Sequence, residues 1–271
     1  MPAQSTAQKS GQRRSDRDGS QTGSYVYGIF PGDIKLKNDL AGVGDPPDEV
    51  RIVRGDDLAA LVSTVRLDGP LGTPEDLAAH QQILDACVAE VPVLPIRFGA
   101  VLTDDEAVVS DLLEANHDEF SEALRHLEGT AQFVVKGRYD ERAMLGEVLA
   151  DNREAAELHK QIRGADPDAT RDLRIRLGEI INEGVGARRE ADTRAFGNRM
   201  KGHCAASAVR EPSHELDAVN VAFLLKTGQE DELLDVVNDL AEEWQGRVEL
   251  RVLGPMAPYD FVVTAEPAGG G

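Results

Sequence analysis

The chain has 271 residues, of which 41% are hydrophobic and 4% aromatic, and its formal net charge is −20. That length and apolar content suffice for one large or two ordinary domains with a mainly aliphatic core. The acidic charge argues against a nucleic-acid-binding protein, which needs a basic surface, and against binding to an anionic membrane.

The two cysteines, Cys87 and Cys204, belong to no metal-binding or redox spacing motif. No disulfide framework is expected, and a reducing cytoplasm is the predicted compartment. No apolar run reaches the length of a membrane span. Residues 1–24 lack the apolar centre of a signal peptide and are rich in Gln, Ser, Gly and Arg, so we expect a disordered tail.

Residues 25–128 predict an α+β domain, because short apolar runs bounded by Gly and Pro precede two helical patterns. Strands are predicted at 25–30, 49–54 and 58–67, a helix at 73–88, a short strand at 96–98 and a long helix at 103–128.

The first helix should begin at Thr73, which can cap it, with Pro74 at the first position. Its predicted inner face carries Leu77, His80 and Cys87. Since His80 and Cys87 share that face, a metal or nucleophile site is one interpretation. A packed histidine and a small buried thiol is the favoured one, because no further ligand has diagnostic spacing.

Arg97 lies in an apolar run, 91–99, that contains Pro92 and Pro95. Two prolines favour a rigid extended segment over a central strand. Arg97 then either points to solvent by alternation or is a half-buried charge that needs a carboxylate or a partner surface.

A cluster of titratable side chains lies on the outer side of the second helix. It could hold a divalent ion weakly, but a charged, solvated helix surface usually looks like this, and we favour that interpretation. Its members are Glu114, His117, Asp118 and Glu122.

The pattern resets at Gly129, so residues 129–265 predict a second domain, followed by a flexible tail at 266–271. Its elements follow a ferredoxin-like order with a helical insertion at about 153–201. They are a strand at 132–139, helices at 140–163 and 170–200, strands at 204–209 and 219–225, a helix ending at Trp244, a strand at 248–253, a corner at 254–258 and a last strand at 259–264.

The helical insertion contains 11 basic and 9 acidic residues, which makes it locally positive in an acidic protein. It is therefore a candidate contact arm, and a mixed-charge solvated helix pair is the equal alternative. Its candidate partner-binding residues are Arg171, Arg174, Arg188 and Arg189.

Motifs of catalysis and of cofactor binding are absent from the sequence. The phosphate-loop Gly-Lys pair does not occur, and Pro47 and Arg189 stand where two incomplete dinucleotide patterns need a third glycine. Neither His-Glu-x-x-His nor Gly-x-Ser-x-Gly is present. We therefore predict a protein that is not an enzyme, with no cofactor, no metal and no catalytic residue.

Four ordered segments resemble the gas vesicle protein F/L family. They are the opening run 25–29, the segment 93–99 that follows His80, the strand residues 134–136, and Gly-Pro-Met-Ala-Pro-Tyr-Asp-Phe at 254–261. Together they span about 25–264. One departure is Gln132, where the family pattern leads us to expect an acidic residue.

The resemblance implies an accessory protein of gas vesicle assembly with two α+β domains, the second a modified ferredoxin-like fold. Such a protein would bind the small hydrophobic shell protein, prevent its aggregation, assist nucleation with other accessory proteins, and become a minor vesicle component. Arg97 and Tyr259 lie in the family-like segments and join the candidate partner-binding residues. The alternative is an enzyme or small-ligand sensor on a ferredoxin-like scaffold.

Overall fold

The computed structural model describes residues 21–35, 40–88 and 90–262, which form a mixed α+β structure with two antiparallel sheets. No helix within those ranges is long and apolar enough to cross a membrane. The strands are β1 (Thr22–Pro31), β2 (Arg51–Arg54), β3 (Leu58–Arg66), β4 (Leu94–Pro95), β5 (Val101–Leu102), β6 (Thr130–Tyr139), β7 (Ala206–Val209), β8 (Asp217–Lys226) and β9 (Val248–Met256). The helices are α1 (Pro74–Val88), α2 (Asp105–Ala107), α3 (His117–Leu127), α4 (Glu141–Asp151), α5 (Arg153–Ile162), α6 (Arg171–Arg199) and α7 (Glu230–Glu243), with a π-helical segment at Val108–Glu114.

The first sheet is organised around β1, which lies between β3 and the short strands β4 and β5, and β2 extends it beyond β3. Residues 23–30 are all buried. Helix α1 packs on one face through Leu84, and the π-helical segment and α3 pack on the other through Val108 and Phe120. A strand covered on both faces needs a near-continuous apolar run, which is why the sequence identified it.

The second sheet has the strand order β7-β8-β6-β9, and all neighbouring strands are antiparallel. Residues 217–225 of β8 are buried, as the apolar run predicted. Helices α6 and α7 pack on one face of this sheet, where the Phe196 ring lies 5.2 Å from the Phe223 ring. The predicted stripe of α7 is confirmed, because Leu233, Val237 and Leu240 are buried.

Gly129 connects the two sheets with a φ of 65°, a value that favours glycine. The division into two domains at this residue stays a prediction. One cluster of buried apolar side chains contains residues of both sheets, including Tyr27 of β1 and Phe223 of β8. The two sheets therefore share part of one core.

Two predicted helices are interrupted by asparagines. The long helix predicted at 103–128 begins as expected after Asp104, which caps α2, but it ends near Asn116, whose Nδ2 donates to the carbonyl of Leu112 over 2.8 Å. The helix predicted at 140–163 breaks at Asn152, whose Oδ1 accepts from Ala155 and starts a new helix. Asparagine side chains compete with the helix backbone for these hydrogen bonds.

Three smaller predictions are wrong. The tail predicted at 1–24 overlaps β1, which begins at Thr22, and residues 1–20 lie outside the described residues, as does the tail at 266–271. The short strand predicted at 96–98 lies at β4 instead, because Gly99 with φ of 92° turns the chain there. Leu77, expected on the inner face of α1, is 50% exposed.

The C-terminal corner also differs from the prediction. Strand β9 continues through Gly254 to Met256 and bulges where it pairs with β6. Gly254 has φ of 134°, and a Cβ there would lie 2.8 Å from the carbonyl oxygen of Gln132, so only glycine fits. No strand follows at 259–262, which form turns and bends, and the rest of the predicted strand lies outside the described residues.

Residues 257–262, called here the C-terminal strap, join the two sheets. The N–H of Ala257 donates to Asp85 of α1 over 2.9 Å. Asp260 makes two hydrogen bonds with the amide of Gln132 in β6: Nε2 donates to the carboxylate over 2.6 Å, and Oε1 accepts from the Asp260 N–H over 3.0 Å. Gln132 is only 1% exposed, so these bonds satisfy an amide that would otherwise be buried unpaired.

We expect Gln132→Glu to lower the free energy of unfolding at pH 7 by about 2 kcal/mol, because it replaces a donor with a second carboxylate beside Asp260. Urea denaturation measures the loss. The matched control adds Asp260→Asn, which returns a donor to the pair and should recover part of the stability. Equal stability of the single variant and the wild type would show that the pair does not stabilise the fold.

Candidate functional site

An aromatic cluster lies where β1, α1 and the C-terminal strap meet. The Tyr25 hydroxyl lies 2.8 Å from Nδ1 of His80, and the backbone N–H of Gly99 donates to the same hydroxyl over 3.2 Å. The His80 ring has Phe98 at 5.6 Å and Tyr259 at 6.3 Å between ring centroids. The candidate contact residue Tyr259 is therefore half-buried in this cluster, where it links the strap to α1.

His80 is a packed neutral histidine. It is 3% exposed, and burial lowers its pKa to about 4, although an interaction with the backbone of Ile96 acts in the opposite direction. Among the residues that the structure describes, no group makes a hydrogen bond of ordinary geometry with its Nε2 atom. The arrangement fits the favoured interpretation of the sequence, a histidine that serves packing.

The thiol and carboxylate candidates likewise serve local structure. Burial raises the pKa of Cys87 to about 11, which disfavours the reactive thiolate. His117 lies 2.5 Å from Asp57 and 3.1 Å from Asp118 on an exposed surface. Within the described ranges, no three His, Cys, Asp or Glu side chains are placed to hold a metal ion.

Two of the four candidate arginines of the helical insertion hold α6 to the rest of the protein. Arg188 is half-buried and pairs with Glu147, over 3.0 Å, and with Asp151 of α4. Arg189 donates to the carbonyls of Asp217 and Glu215 over 2.6 and 2.5 Å. Both side chains are therefore used inside the chain.

The remaining candidates lie on the surface. Arg171 and Arg174 are exposed near the start of α6, where Nε of Arg174 donates to Thr170 over 3.1 Å. Arg97 is also exposed, just after β4, which agrees with the interpretation that it points to solvent. Arg97 follows β4 of the first sheet, whereas Arg171 and Arg174 lie on α6, which packs on the second sheet.

The sequence did not predict the contacts of the C-terminal strap. Asp260 and Gln132 lie 128 positions apart, and neither belongs to a spacing motif. The one available signal was the departure of Gln132 from the acidic residue expected there. An amide at 132 can donate to Asp260, whereas a second carboxylate would repel it.

We expect His80 to make the fold sensitive to acid. Its folded pKa of about 4 lies below the value of about 6.5 in an unfolded chain. The buried neutral ring therefore contributes its full share to the stability of the fold above about pH 6.5, and this contribution is lost as the pH falls toward 4. Relative to His80→Gln, the wild type should lose up to about 3 kcal/mol between pH 7 and pH 4. Urea unfolding of both proteins at each pH tests this, and parallel pH profiles would contradict it.

Arg188 and Arg171 provide a matched pair of substitutions on one helix. Arg188→Ala should cost about 2 kcal/mol, because it removes a half-buried side chain that joins α6 to Glu147 and Asp151 of α4, whereas Arg171→Ala should change stability by less than about 0.5 kcal/mol. Guanidinium denaturation measures both. Equal losses would show that Arg188 has no special structural role.

Comparisons with known proteins cover nearly the whole chain. A model of the family described as gas vesicle synthesis protein GvpL/GvpF matches residues 23–263. Gas vesicle protein F of a Streptomyces species is 35% identical over 242 residues, which cover 88% of this chain and 99% of that protein. Gas vesicle protein L of the same organism is 30% identical over 263 residues and covers 89% of this chain and 93% of its own length.

Two solved structures share the fold. GvpF from Anabaena has a TM-score of 0.73 at 24% identity and covers 90% of this chain and 100% of its own. GvpF from Microcystis aeruginosa has a TM-score of 0.70 at 23% identity, with 88% and 98% covered. Because the family model spans most of the chain, the protein belongs to the GvpL/GvpF family of gas vesicle synthesis proteins and takes part in gas vesicle assembly.

Proposed function

We propose that this protein is an accessory factor that binds the small hydrophobic shell protein of the gas vesicle, prevents its aggregation and assists nucleation. Family membership over residues 23–263 carries the proposal. In this proposal it works beside other accessory proteins, becomes a minor component of the vesicle, and acts by binding rather than by catalysis.

The charge of the chain supports a dispersing role. Because the chain has a formal net charge of −20, complexes that contain it repel one another, while the apolar surface of the client is covered. This repulsion is long-range and electrostatic, so salt should weaken it.

The second sheet offers an edge that suits an extended client segment. Strand β7 is an edge strand of four residues, and the side chain of its last residue, Val209, is 72% exposed. Adding a strand to such an edge gives affinity through main-chain hydrogen bonds. The exposed Arg171 and Arg174 are proposed to meet acidic positions on the client or on sister accessory proteins.

The topology supports a ferredoxin-like description of the second unit. The order β7-β8-β6-β9, with helices between β6 and β7 and between β8 and β9, is the order of that fold. In this proposal the insertion at about 153–201 comprises α5 and α6, and the chain divides into two domains at Gly129.

We expect the full chain, in several-fold molar excess, to lower the light scattering of shell protein diluted out of denaturant. An unrelated protein of equal net charge is the control. In about 1 M salt, where the screening length is about 3 Å, the protection should weaken. Unchanged scattering at low salt would contradict the proposed function.

A further inference from the structure

The face of the second sheet that α6 and α7 do not cover is only partly open. Around Leu224 it joins the apolar cluster of α3 and of the strap residues Phe261 and Val262, whereas it is exposed around Arg138 and Arg251. Helices α6 and α7 pack against the face that carries Phe133 and Phe223. Side chains alternate between faces along a strand, so Lys136 of β6 points to the opposite side. The pairing places Lys136 opposite Asn220 of β8 and opposite Arg251 of β9, and directly paired residues share a face.

Two further cations belong to this face. Arg210 follows β7, and its N–H donates to the carbonyl of Asn220 over 2.8 Å, which continues the row across the sheet. Arg138 is two residues beyond Lys136 on β6 and is paired with Glu249 of β9 and with Asp217 of β8. Lys136, Arg138, Arg210 and Arg251 are called here the basic face.

The basic face keeps positive charge that the chain does not neutralise. Glu249 accepts from Arg251 over 2.7 and 3.0 Å, and Asp260 lies 3.4 Å from Arg210. Lys136 makes no ion pair within residues 21–35, 40–88 and 90–262. The four cations therefore meet three carboxylates, Glu249, Asp260 and Asp217, and the remaining net charge of +1 contrasts with a total charge of −20.

Asn220, in the middle of the row, has an unused hydrogen-bond acceptor. The residue is 8% exposed, and its Nδ2 donates to the carbonyl of Glu211 over 2.8 Å. Its Oδ1 is buried and has no donor in the described part of the chain. Buried polar atoms normally have a hydrogen-bond partner. A donor brought close by a rearrangement of the neighbouring cations would therefore satisfy Oδ1 of Asn220.

We propose that the basic face binds an acidic amphipathic helix of another gas vesicle protein, which covers the exposed part of this sheet face. Strands lie about 4.8 Å apart, and carboxylates at positions i and i+4 of a helix are separated by about 5–6 Å, so the two spacings are compatible. Leu253 is 44% exposed on the adjoining row of the same face and offers an apolar contact. Only the origin of the helix rests on the proposed function.

The test uses a fluorescent helical peptide with one Glu face and one Leu face, and a counterpart in which Lys replaces each Glu. Fluorescence anisotropy with the full chain should show binding of the acidic peptide, weakened by salt, and none of the basic one. Lys136→Glu with Arg138→Glu should weaken binding at least tenfold. Arg142→Glu with Lys160→Glu, an equal charge change at exposed positions of α4 and α5, should leave it unchanged.

Equal binding by the Lys136/Arg138 variant and the wild type would overturn the proposal, as would an equal loss in the Arg142/Lys160 control. If circular dichroism shows that the reversed variant is misfolded, Lys136→Gln with Arg138→Gln replaces it, with a several-fold loss expected. Self-association of the wild type that this variant abolishes would identify a second copy as the occupant and overturn the proposal.

The light-scattering assay separates this inference from the proposed function. A Lys136/Arg138 variant that still protects the shell protein but no longer binds the acidic peptide supports a site for another vesicle protein. A wild type that binds the peptide but does not protect the shell protein refutes the proposed function and leaves the site supported.

Discussion

The contact between the C-terminal strap and both sheets is the constraint on which much of the structure depends. The amide of Gln132 makes two hydrogen bonds with Asp260, and Ala257 donates to Asp85 of α1. These groups come from distant parts of the chain, so closing them costs chain entropy that the shared apolar core must offset. The strap therefore ties α1 of the first sheet to the central strand of the second.

The strap also helps to bury the aromatic cluster. Tyr259 packs beside His80 and so adds to the burial that keeps the imidazole neutral. The same burial raises the pKa of Tyr25 far above its usual value, which keeps its hydroxyl protonated next to Nδ1 of His80. Residues that look reactive in the sequence are thus held in uncharged states by packing.

Strands were predictable from the sequence where burial on two faces demands a continuous apolar run, as in β1 and β8. Helix ends were less predictable, because side-chain hydrogen bonds of Asn116 and Asn152 broke patterns whose apolar spacing continues past them. The last predicted strand failed for a long-range reason. Asp260 bonds to a side chain of β6 instead of to a neighbouring strand, and no local pattern encodes that choice.

The sequence was also a poor guide to which cations are available to a partner. Counting cations along the sequence singled out α6, yet Arg188 and Arg189 are engaged with carboxylates and carbonyls of the same chain. The sequence pattern did not predict a site at Lys136 and Arg138, because two cations on one strand are common. Only the pairing of the strands shows that Arg251 lies beside them. Whether a cation is available to a partner is decided by register and by the positions of carboxylates in space. In this fold the remaining net positive charge lies on the sheet face that α6 and α7 leave partly open.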